Sequence, residues 1–119
     1  PQTGHKDRRV ELKKTALEVQ TRLIPPGYSA EEYLDELRDR WNRLISTQTK
    51  DNLTEDVNSL IRDYLRRTIR SLRSAPFTPE RIAQLADTLS DTPNLQKLPA
   101  KDSLRLYIQL YITVLLMKA

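Results

Sequence analysis

Apolar residues recur along this chain at the three- and four-residue steps of a helix, and the recurrences fall into five segments. From about Asp7 to Leu23, Leu12, Ala16, Val19 and Leu23 form one stripe with Val10 and Leu17 flanking it, which predicts an amphipathic helix. Pro25 and Pro26 stop it, because proline donates no amide and turns the preceding residue away from the helical region; Gly27 then lets the chain turn. A second helix starts behind Ser29 as N-cap, with Glu32 three residues on to close a capping box and Tyr28 set to pack on Tyr33. Ala30, Tyr33, Leu34, Leu37, Trp41, Leu44 and Ile45 make its inner face, while Glu31, Asp35, Arg38, Asp39 and Arg43 face water.

Residues 46–52 are polar and aperiodic, hence a loop. A third helix is expected from about Thr54 to Ser74, with Val57, Leu60, Ile61, Tyr64, Leu65, Ile69 and Leu72 covering enough of its circumference to touch two neighbours. After Ala75 and Pro76 a start signal repeats: Phe77 before the cap, Thr78 as N-cap, Pro79 at the first helical position and Ile82 as the apolar partner of Phe77. Leu85, Ala86 and Leu89 continue this fourth helix before Pro93.

The last segment, from about Asp102 to Lys118, holds eleven apolar residues among the fourteen from Leu104 to Met117. Its polar exceptions, Arg105, Gln109 and Thr113, follow Lys101 at steps of four and so line one narrow helical stripe. A strand reading rests on the β-branched Ile108, Ile112, Thr113 and Val114. A membrane-spanning reading fails on length, because a crossing takes roughly 18–20 apolar residues. The expectation is therefore an all-α, compact bundle of about five helices in a single domain over residues 1–119, with 1–6 a flexible end and a nearly all-apolar C-terminal helix.

Composition narrows the chemistry. Two glycines, Gly4 and Gly27, cannot build a phosphate-cradling glycine loop or a nucleophile elbow. Without cysteine, and with His5 as the one histidine, there is no material for a zinc site, thiol catalysis or a triad with a histidine base. Glu31 with Asp35 and Glu36 with Arg40 sit at helical spacing on an exposed face, which is ion pairing rather than acid–base chemistry. The reading is a non-enzymatic chain with no catalytic residue, cofactor, metal or small-molecule substrate. The lack of cysteine and of a visible signal peptide points to an intracellular setting, cytoplasm or nucleus. A start at Pro1 and an end just after the apolar run suggest part of a longer protein.

Two features remain as candidate surfaces. Arg62, Arg66, Arg70 and Arg73 step by four, four and three along one helical face for about 16 Å, with Arg67 on the other flank. Such a row suits bidentate contacts with an acidic protein or with phosphates, although a solvated helix face would carry the same residues. The second is the last helix. It is either the central helix of the bundle or a source of exposed apolar surface, with Tyr107, Tyr111, Ile108 and Leu115 as its interface ridge. These features predict a protein-interaction or scaffold domain whose partner is another protein chain, in a hetero- or homo-oligomer. The alternative is a nucleic-acid-binding domain using the arginine row and the basic stretch of His5, Lys6, Arg8, Arg9, Lys13 and Lys14, which a net charge of +4 permits.

Overall fold

The five expected helices form: α1 (Thr3–Leu23), α2 (Ala30–Ile45), α3 (Leu53–Ser71), α4 (Pro79–Ser90) and α5 (Lys101–Lys118). The computed structural model describes residues 3–45, 53–71, 76–93, 95–98 and 100–118, excluding the side chains of 3–7, 44–45, 53–54 and 69–71. Among them there is no strand, so the extended alternative for the last segment is set aside in favour of α5. No helix among them is long and apolar enough to cross a membrane. At the other end, α1 begins at Thr3, so residues 3–6 of the expected flexible end are helical in backbone.

The start signals work as the sequence implies. The Glu32 amide donates to Ser29 Oγ at 3.1 Å and the Ser29 amide to Glu32 Oε1 at 3.2 Å, a reciprocal capping box, while Tyr28 packs on Tyr33 with ring centroids 5.4 Å apart. Thr78 caps α4 by accepting from the Arg81 amide at 3.3 Å, with Pro79 opening the helix and Phe77 and Ile82 both buried. Gly27 turns at φ +91°, a conformation that its missing Cβ permits.

The other four helices all pack on α5, and α1 also meets α4. At about 100° per residue, successive positions on α5 face successive neighbours. Lys101 and Arg105 face α4: Lys101 Nζ donates to the Ser90 carbonyl at 2.8 Å, and Arg105 Nε lies 2.6 Å from Asp87 Oδ1, at ion-pair distance without hydrogen-bond alignment. Thr113 faces α1 and accepts from Gln20 Nε2 at 3.1 Å; Tyr107 faces α2 and α3. Three members of the polar stripe of α5 thus reach neighbouring helices, Lys101 and Arg105 toward α4 and Thr113 toward α1, with the Arg105 side chain still partly exposed. Leu104, Ile108, Leu110, Ile112 and Leu116 fill the core between these pins.

A second device holds α1 to the start of α4. The Phe77 amide donates to Glu11 Oε1 at 2.9 Å, Thr15 Oγ1 donates to the Phe77 carbonyl at 2.8 Å, and the Arg8 guanidinium lies 6.0 Å from the Phe77 ring centroid. Both backbone polar groups of a buried residue are thereby satisfied from one helix. Thr15→Val, which leaves the Phe77 carbonyl without this donor, is expected to cost about 1–2 kcal/mol by urea unfolding at neutral pH. The Phe77 hydrogen bond, against some desolvation and with help from Arg8, holds the Glu11 carboxyl below its ordinary 4.5. Its contribution is therefore complete above that value and is lost as pH falls through the lower folded one, and Glu11→Gln should reduce the acid sensitivity of unfolding below pH 4.5.

Candidate docking surface

The two features singled out in the sequence meet. Arg62 Nη1 donates to Tyr111 Oη at 3.0 Å, and Arg62 Nη2 reaches Glu55 Oε1 at 3.2 Å. One helical turn earlier on both helices, Tyr107 Oη donates to Asn58 Oδ1 at 2.5 Å. Since 58 pairs with 107 and 62 with 111, α3 and α5 run parallel in a fixed register. The pairings place the side chains of the next turn, Arg66 on α3 and Leu115 on α5, along the same seam.

The members of the arginine row have different roles. Arg62 is half-buried and structural, tying α3 to α5, and Tyr111 first and Glu55 second hold its guanidinium more firmly protonated than usual. Arg66 is 72% exposed, with Asp63 at 3.9 Å; Arg67 is exposed on the other flank. The Arg70 side chain and Arg73 lie outside the described residues.

The tyrosine ridge needs a correction. Tyr107 and Ile108, expected among interface residues, are fully buried. Tyr107 lies between Trp41 and Tyr111, its ring centroid 6.1 Å from the first and 5.9 Å from the second, with interplanar angles of 14° and 6°. The physical reason is the crowding of α5: a residue between α2 and α3 has no solvent side. Only Tyr111 and Leu115 of the four stay half-exposed. The surface that results has Tyr111 and Leu115 as its floor and Arg62 and Arg66 as its α3 edge. On the α2 side stands Arg38, paired with Asp35 and close enough for its charge to act on the Tyr107 phenol.

Sequence reasoning missed Asn58 and Glu55 as parts of this arrangement. Asn58 had a signal, a polar residue beside Val57 within the apolar stripe and next to Ile61 on the helix surface. Glu55 and Arg62 are seven residues apart, two turns, outside the usual three- and four-residue pairing. Among the described residues, no cluster of three His, Cys, Asp or Glu side chains could hold a metal ion. No protein-family model, curated protein or solved structure matches this chain.

Proposed function

We propose that this chain is a protein-docking module that binds an acidic segment of a partner protein along the α3–α5 seam, as a scaffold or subunit of an intracellular complex. The observation that supports it is the Arg62–Tyr111 hydrogen bond, which joins the cationic edge and the half-exposed aromatic floor into one surface. Tyrosine and arginine are the residue types that anchor protein interfaces, since each buries apolar area and still offers directional hydrogen bonds. The carboxylates now near these arginines form exposed pairs of little net strength, so a partner's carboxylates can replace them at small cost. Binding would fix Arg66 and cover Leu115 while leaving the Arg62–Tyr111 pin in place.

Nucleic-acid binding is the second reading, carried by the exposed Arg66 and Arg67. It fits less well because Arg62 is already engaged, and Tyr111, the aromatic beside it, has its ring stacked on Tyr107 rather than open to a base. Fluorescence polarisation with the full chain separates the two, using a labelled acidic amphipathic helical peptide, duplex DNA and single-stranded RNA at two salt concentrations. The docking reading expects the peptide to bind best, Arg66→Glu to weaken it about tenfold or more and Leu115→Ala to weaken it several-fold. Preference for nucleic acid with a steep salt slope that Arg66→Glu abolishes would replace this reading with the second. Equal peptide affinity in wild type and Arg66→Glu overturns the docking reading.

A further inference from the structure

Helix α1 is apolar on two opposite sides. Leu12, Ala16 and Val19 are buried against the bundle, while Val10 and Leu17 are 63% and 55% exposed on the other side. With Lys14 between them and Thr21 after them, they step by four, three and four, the spacing of a helix that pairs with another helix. This outer ridge is about 16 Å long. It is also basic: Lys14 is exposed at its centre, Lys13 is half-exposed beside it, and neither makes an ion pair among the described residues. Glu18, on its flank, is held by Arg22 at 2.9 Å. We propose that the α1 ridge docks on α2 of a second copy of this chain, along the acidic groove on the outer face of that helix. The proposal does not rest on the α3–α5 seam.

Charge and spacing select α2. Its outer face carries an open groove of about 740 Å³ lined by Tyr28, Glu32, Asp35, Glu36 and Asp39, with Arg43 toward the end of the helix. The Tyr28 ring is exposed, and Asp39 is exposed with no ion pair among the described residues. Asp35 with Arg38 and Glu36 with Arg40 are partly exposed pairs at helical spacing, of little net strength, so lysines arriving from outside compete for these carboxylates at small cost. Over their whole lengths, α1 carries six Lys and Arg against three carboxylates, and α2 five carboxylates against three arginines. Glu32 and Asp39 are seven residues apart, as are Val10 and Leu17, so the two ridges share a repeat.

Both ridges point away from α5, because each lies opposite the stripe that its own helix buries: Leu12, Ala16 and Val19 on α1, and Leu34, Leu37 and Trp41 on α2. Within one molecule they cannot meet. Pairing like with like is unfavourable, since α1 against α1 brings Lys13 and Lys14 onto their own copies, and α2 against α2 does the same with Glu36 and Asp39. Docking α1 on α2 instead removes Val10, Leu17 and the Tyr28 ring from water and sets Lys14 against the acidic row. Every copy carries both ridges, so the contact repeats, closing reciprocally as a dimer or running head to tail.

Sedimentation equilibrium of the full chain, from micromolar to millimolar concentration and at low and high salt, tests this. The expectation is a mass that rises above the 13.9 kDa monomer with concentration, and rises less at high salt. Lys13→Glu with Lys14→Glu, and separately Glu36→Lys with Asp39→Lys, should each weaken association about tenfold or more. Mixing the two double variants should restore it, because each then meets a ridge of opposite sign. Val10→Ala with Leu17→Ala should weaken association several-fold without lowering the melting temperature, since both side chains are exposed and alanine favours the helix. The control is Lys97→Glu, on the connection after α4, which changes the net charge away from either ridge and should leave association unchanged. If a double charge reversal does not fold, the single changes Lys14→Glu and Asp39→Lys carry the same mixing test. A chain that is monomeric at every concentration leaves the α1 ridge to an acidic partner of another kind and overturns the proposal. Association that the ridge variants leave unaltered, or that mixing does not restore, overturns it as well.

Discussion

Trp41→Ala is expected to destabilise the fold by about 3–5 kcal/mol, the range for deleting a large buried aromatic, and to lower the melting temperature by roughly 10–20 °C. Trp41 is the largest of the fully buried side chains and stacks on Tyr107, so its removal opens a cavity at the meeting of α2, α5 and, through Asn58, α3. Trp41→Phe should behave very differently. The indole Nε1–H is buried without an acceptor, so phenylalanine removes an unsatisfied donor while keeping most of the stacked surface. A cost below about 1.5 kcal/mol is expected for Phe. Circular-dichroism melts of both variants test this, and a Phe variant as unstable as the Ala variant would show that the N–H, rather than the ring, matters.

The helices were legible because local chemistry specifies them. Ser29 and Glu32, then Thr78 and Pro79, place two helix starts by hydrogen bonds and ring geometry that act within a few residues. The centrality of α5 was legible too, since a helix apolar almost all round has to be enclosed. Less visible was the role of its polar stripe, because Lys101, Arg105 and Thr113 find partners on α4 and α1 that no short-range pattern announces. Leu95 shows the same limit. It is fully buried, yet it lies in the turn-rich connection after Pro93, where periodicity has nothing to measure. On α1, Val10 and Leu17 are exposed beside the buried Leu12, Ala16 and Val19.

For the candidate site, sequence placed the components but not their division of labour. The step of four in both Arg62–Arg66 and Tyr107–Tyr111 put each pair on one ridge of its own helix. Whether a ridge faces solvent depends on which neighbours flank it. One turn along α5 separates Tyr107, closed between α2 and α3, from the half-exposed Tyr111, and that difference belongs to the packing. The Phe77 clamp is likewise long-range, since Glu11 and Thr15 reach a backbone more than sixty residues away.

Raising the pH should expose the load on Tyr107. Burial, the largest influence, pushes its phenol from an ordinary 10.0 up to about 12, against the opposing charge of Arg38. The folded state thus favours the neutral phenol. Its stabilisation is complete below pH 10, falls as pH climbs from the unfolded value toward the folded one, and amounts to about 3 kcal/mol. Tyr107→Phe supplies the control, because phenylalanine has nothing to ionise. At pH 9 the variant is expected to be less stable by about 1–2 kcal/mol, since Asn58 Oδ1 loses its donor in a buried place. Between pH 10 and 12 that deficit should shrink to zero or reverse. Urea unfolding of the pair at pH 9, 10, 11 and 12 measures the difference directly. A deficit that stays constant across those values would show that the Tyr107 phenol ionises as easily in the core as in water, and that the stack from Trp41 to Tyr111 opens before the alkali does its work.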